Sequence, residues 1–281
     1  MTQRSSIETC LAAAISSLRR EGFAAALWDL CGALAVPDNL IVMAYSDAGP
    51  PLVLLHRSDN PRVFARLETL YLSGAYRLDP YYELHLARVP DGAYRSRDIA
   101  PDAFQRSRYF TEYYGATTLI DEIAFVVPLA GGVSLNLCLG RDARSGRAFS
   151  TDDLSACQRL SPVIAALARA EWKDLKRNAG PVEDTPALLI QAARRRGIAL
   201  SPRQAMVALL VLRGHSTPSI GLKLGVSPQT VKVFRKQLYR RCGISSQAEL
   251  FSLMLPLLND QPAASIPALG RGSEGRVPVA R

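Results

Sequence analysis

At 281 residues the chain is long enough for two separately cored domains, and its 48% hydrophobic content is ordinary for a globular protein, whereas a net charge of +9 calls for a polyanionic partner. The richest apolar stretch, residues 22–45, is broken by Asp29, Pro37 and Asp38, and no basic N-terminal segment leads into an apolar core, so no membrane span or leader and a cytoplasmic location are expected. Five cysteines (Cys10, Cys31, Cys138, Cys157, Cys242) and three histidines (His56, His85, His215) are scattered without CxxC or paired-ligand spacing, which argues for reduced buried thiols and against a metal or other cofactor.

In chain order, helices are predicted near 4–20 and 22–35, strands at 39–46 and 52–57, and a helix from Pro61 to Ser73 after an Asn60 cap. Aromatic-rich helical turns run to about residue 115. Two apolar runs, Ile120–Ala130 and Val133–Gly140, meet at Gly131-Gly132, a hairpin signal because glycine supplies the positive φ of a tight turn. In the second run Ser134, Asn136 and Cys138 alternate with leucines, so that face either lines a pocket or meets solvent. A long helix from Thr151-Asp152 to about Asn178 turns Leu154, Cys157, Leu160, Ile164, Leu167 and Trp172 inward. With no βαβ rhythm, residues 1–178 read as an α+β domain, an antiparallel sheet flanked by helices. Residues 179–197 read as a Gly/Pro/acidic linker carrying a short helix at 187–196, and 259–281 as a disordered tail rich in Pro, Ala, Gly and Ser.

Residues 198–258 predict an all-α, four-helix domain. Ser201-Pro202 opens a helix that stops at Arg213-Gly214, and Thr217-Pro218 caps a shorter one whose inward pair is Ile220 and Leu224. Gly225 takes a left-handed turn into a third helix capped by Ser227, with Pro228 at its first position, where a missing N–H is harmless. At 100° per residue, Val231, Phe234, Leu238 and Cys242 fall on one side of it. Lys232, Val233, Arg235, Lys236, Tyr239 and Arg240 fall on the other. Ser246 and Glu249 form a capping box for the fourth helix. The charge is confined to this part of the chain: residues 1–181 hold 20 Lys/Arg and 20 Asp/Glu, while residues 182–258 hold 11 and 3. A nucleic-acid partner accounts for that asymmetry.

Residues 200–250, LSPRQAMVALLVLRGHSTPSIGLKLGVSPQTVKVFRKQLYRRCGISSQAEL, resemble the helix-turn-helix domain of the LuxR/NarL family of bacterial transcription regulators. Gln204, Gly221, Phe234 and Cys242 stand where that family prefers Glu, Ala, His and Leu. The resemblance implies base-edge readers at Lys232, Val233 and Lys236 and backbone contacts at Thr217, Ser227, Thr230, Arg235 and Arg240, with Gln229 on the same DNA-facing turn. It also implies a dimer that uses the fourth helix between DNA-binding domains. Asn60-Pro61-Arg62-Val63-Phe64 followed by Tyr76-Arg77-Leu78-Asp79-Pro80 is similar to the acyl-homoserine-lactone receptors of the same family, in which an aspartate accepts the ligand's amide N–H. The first domain is thus expected to be an α-β-α sandwich of the GAF/PAS/autoinducer-binding kind. Its pocket would be adapted to a different small molecule, since Phe64 replaces the usual Trp, and would draw its lining from Phe64, Tyr76, Asp79, Tyr81, Tyr82, Tyr94 and Tyr109.

The first domain shows no repeating βα order and no lysine before Lys173, which argues against a phosphorylated receiver. It has no GxxxxGK[ST] loop, HExxH or GxSxG, so no enzyme is expected. The partners implied are operator double-stranded DNA, a small-molecule effector, a second copy of the chain and RNA polymerase. The competing reading is a regulator whose first domain only dimerises or binds a protein partner.

Overall fold

A computed structural model describes residues 6–175 and 182–259. The predicted tail from 260 onward and the first linker residues lie outside them. Five strands, β1 (Asn39–Ser46), β2 (Leu52–Ser58), β3 (Gly92–Arg95), β4 (Leu119–Leu129) and β5 (Val133–Asp142), form one antiparallel sheet in the order β2-β1-β5-β4-β3. The helices are α1 (Ile7–Ser16), α2 (Phe23–Ala35), α3 (Pro80–Leu86), the single turns α4 (Ser96–Ile99) and α5 (Gly115–Thr117), α6 (Thr151–Glu171), α7 (Thr185–Arg195), α8 (Pro202–Leu212), α9 (Thr217–Leu224), α10 (Pro228–Cys242) and α11 (Gln247–Asn259). Gly131 and Gly132 take φ of +73° and +70° at the β4–β5 hairpin, as their sequence predicts.

Strand alternation sorts side chains between two layers. Leu40, Val42, Ala44, Phe125, Leu135 and Leu137 pack under α1, α2 and α6. Ile41, Met43, Tyr45, Ala124 and Cys138 face the opposite layer, built from α3 and irregular turns rich in tyrosine. β5 is buried along its whole length, so Ser134, Asn136 and Cys138 face the interior rather than solvent.

Several expectations need correction. β3 was not predicted, because four residues are too few to show a period of two. The helix expected over 61–73 is instead a run of turns ending in a π-helix, Leu67–Tyr71, where the N–H groups of Leu70 and Tyr71 share the Arg66 carbonyl at 3.1 Å. The widened turn still buries Leu67 and Tyr71. The helix expected to reach Asn178 ends at Glu171, where Trp172 turns edge-on to Phe23.

In the C-terminal part, Ser201 and Gln204 form a reciprocal capping box, so the glutamine does the work of the usual glutamate. The cap of α9 is Ser216, one residue before the predicted Thr217. Ile220, Leu224, Val231, Leu238, Leu250 and Met254 make the core of the four helices. Helix α7, expected as a short helix within a linker, packs along α8 and α11 through buried Leu189, Ala192 and Ala193 and so extends that core.

The helical part is docked on the turn-rich layer of the sheet domain. Buried Arg77 pairs with Glu183 and donates to the Leu258 carbonyl at the end of α11 (2.9 Å). Arg213, at the end of α8, donates to the Arg77 carbonyl (3.1 Å) and pairs with Glu83 (2.8 Å). The Ala103 N–H donates to the Gly214 carbonyl, and the Ser216 N–H to Asp102, both at 2.9 Å. Gly214 has φ +91°, and a Cβ there would stand 2.6 Å from the Phe104 Cα, so this junction requires glycine.

Candidate DNA interface and candidate effector cavity

Helix α10 presents its polar side to solvent for a local reason. The Ser227 hydroxyl accepts from the Thr230 N–H (3.0 Å), fixing the first turn, and only Val231 and Leu238 are fully buried, with Phe234 and Cys242 packed beside them. Gln229, Lys232, Val233, Lys236 and Arg240 are all exposed. Val233, at 46% relative exposure, is an apolar side chain with no core to enter. Thr217 and Arg235 are half-buried and joined: Arg235 donates to the Thr217 hydroxyl (3.4 Å) and to the Tyr239 hydroxyl (3.3 Å), which places its guanidinium between α9 and α10. Apart from Gln229, Val233 and the hydroxyl residues, this is one cationic stripe along α10, formed by Lys232, Arg235, Lys236 and Arg240.

The second site is a small cavity of about 30 Å³ in the tyrosine-rich layer, lined by Asn39, Ile41, Met43, Val63, Phe64, Leu67, Tyr71, Asp79, Tyr81, Tyr113, Tyr114, Leu119, Glu122 and Cys138. That is room for a water or two, or for one small head group. Asp79 reaches it as the N-cap of α3, with one oxygen accepting from the Tyr81 N–H (2.8 Å) and the other from the Tyr109 hydroxyl (3.1 Å). Burial pushes its carboxyl up to about 6, against those hydrogen bonds and the Tyr71 and Tyr114 hydroxyls, which pull it down. Glu122 is pushed further, to about 8, first by burial and then by the charge of Asp79. Burial and Asp79 likewise raise the tyrosine hydroxyls, so they remain donors at neutral pH.

Of the residues the sequence nominates for this pocket, Phe64, Asp79 and Tyr81 line the cavity, and Tyr109 touches it through Asp79. Tyr76, Tyr82 and Tyr94 stand elsewhere. Tyr76 lies under the Arg77 guanidinium, Tyr82 packs on Tyr45 and His85, and the Tyr94 hydroxyl donates to the Pro90 carbonyl. Missed were Tyr71, Tyr113, Tyr114, Asn39 and Glu122. For Glu122 a signal existed, since Asp121-Glu122 interrupts an apolar strand. Asp121 faces away to buried Arg95 and to Arg97, while Glu122 turns to the cavity. Tyr114, Leu119 and Glu122 also border an open cleft of about 650 Å³, and thus form the wall between cavity and surface. Among the described residues no three His, Cys, Asp or Glu side chains are placed to hold a metal, and no helix is long and apolar enough to cross a membrane.

The two-part architecture, an α+β sheet domain followed by a helix-turn-helix, defines a class of DNA-binding regulator, and similarity to known proteins makes the class specific. Residues 199–254 match the family described as "Bacterial regulatory proteins, luxR family". A putative HTH-type transcriptional regulator of Aeromonas salmonicida is 30% identical over 196 residues, 67% of this chain and 98% of the relative. The transcriptional regulatory protein UhpA of Escherichia coli K12 is 36% identical over 66 residues, 24% of this chain and 34% of that protein. Among solved structures, the LBD domain of VqsR from Pseudomonas aeruginosa superposes with a TM-score of 0.51 at 25% identity, covering 60% of this chain and 98% of that one. The chain belongs to the LuxR family of bacterial transcriptional regulators.

Proposed function

We propose that the chain binds operator DNA as a homodimer through α10 and that a small molecule in the Asp79 cavity gates this binding. Residues 1–178 sense the effector and residues 198–258 bind DNA. Lys232, Val233 and Lys236 read base edges in the major groove. Thr217, Ser227, Gln229, Thr230, Arg235 and Arg240 fix the helix on the sugar-phosphate backbone of half-sites spaced by about 10 bp or a multiple.

One observation carries the gating: a single short segment serves both the cavity and the docking of the helical part. Residues 74–80 place Asp79 in the cavity wall, while Arg77, two residues earlier, holds Glu183 and the end of α11 and lends its carbonyl to Arg213. Phe104 repeats the link, since its ring packs on Tyr109 and Tyr114 and its backbone abuts Gly214. An effector that rearranges Asp79 and its tyrosines changes the footing of the helix-turn-helix, and it shifts the equilibrium only by its differential affinity for the two arrangements. The docked arrangement occupies the C-terminal end of α11, the helix expected to join two DNA-binding domains, so release and dimerisation are coupled.

The test is DNA affinity of the full chain on an operator selected from randomised duplexes, measured by fluorescence anisotropy beside the variants Asp79→Asn and Arg213→Ala. Gating predicts that Arg213→Ala changes affinity although it leaves α10 intact, and that Asp79→Asn removes any effector response. Equal DNA binding by wild type and both variants, with and without every compound tried, would sink it.

A further inference from the structure

The row of residues across the sheet at the cavity floor is Asn39 on β1, Gly140 on β5 and Glu122 on β4, paired in register. Gly140 contributes no side chain, and the space it leaves is taken by Asn39: a Cβ on Gly140 would lie 2.1 Å from the Asn39 Oδ1. With strands about 4.8 Å apart, the Asn39 and Glu122 backbones are about 10 Å from each other across this notch. Asn39 is 3% exposed, and its Nδ2 has no hydrogen-bond partner. Opposite stands Asp79. The lining therefore holds two carboxyl groups, a donor amide with nothing to donate to, and no Lys, Arg or His among the described residues.

We propose that this notch is a subsite for a small organic cation: an ammonium group held between Asp79 and Glu122, with an oxygen acceptor about four bonds from the nitrogen on the Asn39 amide. The inference rests on the gating reading above and names the ligand class for it. A neutral acyl amide would use Asp79 alone, leave the Asn39 N–H groups without an acceptor, and put no cation beside the two carboxyl groups. An ammonium supplies three donors and a compensating charge, and the adjacent oxygen satisfies the amide. The free volume suits a head group rather than a long acyl chain. Entry is through the Tyr114–Leu119–Glu122 wall from the outer cleft.

A pH signature follows. Glu122 faces Asp79 and Tyr81 from α3, Cys138 from β5, Tyr45 from β1, and Tyr113 and Tyr114 from a second π-helix, Phe110–Tyr114, with Asp121 next to it on β4. None of these supplies a positive charge, so Glu122 holds its proton up to about pH 8, and a bound cation must expel it. Affinity for an amine that stays protonated should rise by up to roughly tenfold per pH unit below that point and level off above it.

The probe pair is β-alaninamide and its uncharged N-acetyl derivative, tested on the full chain by thermal shift and titration calorimetry between pH 6 and 9. The expected result is stabilisation by the amine alone, growing with pH and accompanied by proton release, and an affinity reduced by about tenfold or more in Glu122→Gln with loss of the pH slope. Should Glu122→Gln fold poorly, the slope and proton release in the wild type decide the matter, and Asn39→Ala should weaken the amine without altering the slope. No binding of the amine, or equal binding of its N-acetyl derivative, overturns the proposal. An N-acyl compound that shifts wild type and Glu122→Gln alike and fails on Asp79→Asn would overturn the cation while leaving gating intact. Amine binding that never alters DNA affinity would uphold the subsite and overturn the gating.

Discussion

The two sites differ in how they are put together. The cationic stripe sits on one helix, α10, and its members share a face because the helix repeat puts them there. The cavity takes its walls from β1, the 61–71 turns, α3, the π-turn at 110–114, β4 and β5, so that residues up to about a hundred positions apart converge on one carboxylate. A local site tolerates change around it and can be tested by single substitutions at its surface. A convergent site is only as well placed as the segments that carry it, and here those segments also hold the neighbouring domain.

The substitutions that break this contrast most sharply are at the shared segment. Arg77→Ala removes one partner of a buried ion pair and a donor to α11, and should cost about 3–5 kcal/mol of stability by chemical denaturation. Gly214→Ala forces a side chain into a left-handed conformation against the Phe104 backbone, and should cost about 1–3 kcal/mol while hastening proteolysis between the domains. At the local site the effects are on binding instead. Lys236→Ala should lose about 1–3 kcal/mol of specific DNA affinity and relax base preference, while Arg240→Ala should weaken all sequences alike and lower the salt slope by about 1. Gel-shift titrations across salt separate the two, and unchanged affinity in Lys236→Ala would remove it from the interface. Ser227→Ala, which deletes the cap of α10, should cost about 1 kcal/mol of stability.

The pH dependence gives the same contrast a second axis. Glu122 holds its proton to about pH 8 in the fold but loses it near ordinary carboxylate values once unfolded. Between those values the unfolded chain binds fewer protons at this position, so Glu122 makes stability fall as pH rises; the fall stands clear between about 6.5 and 8, because His85 and His215, pushed down to about 4 by burial, act in the opposite direction below that range. Glu122→Gln should abolish that decline, with melting temperatures at pH 6.5 and pH 8 drawing together. A decline that survives the substitution would assign it to another group.

How much could be read from the chain alone follows from the same distinction. Ser201, Ser227, Pro228, Gly225 and the apolar spacing of α10 act within a turn or two, and they were legible to within a residue, with Ser216 replacing Thr217 as a cap. The hairpin at Gly131-Gly132 and strands β1, β2, β4 and β5 were legible for the same reason. The 61–73 segment was not, because its apolar period fits an α-helix as well as the π-turn that tertiary packing selects. In the cavity, Asp79 could be found because Asp-Pro is a local capping signal. Asn39 and Tyr71 could not, since nothing in their immediate neighbours says that the sheet and a wide turn bring them together, and the acidic pair that interrupts β4 marks Glu122 without saying what it faces. The burial of Arg77 is not legible either, because the groups that cover it, Glu183 and the end of α11, lie more than a hundred residues further along the chain.

The sheet also separates the chromophores of the protein. Trp28 and Trp172 lie in the layer of α1, α2 and α6, whereas Tyr45, Tyr71, Tyr81, Tyr82, Tyr109, Tyr113 and Tyr114 lie in the layer around the cavity. Near-ultraviolet circular dichroism therefore carries two independent signals in one unlabelled chain. A tyrosine band that moves while the tryptophan band stays still would report repacking on one side of the strands and a rigid platform on the other.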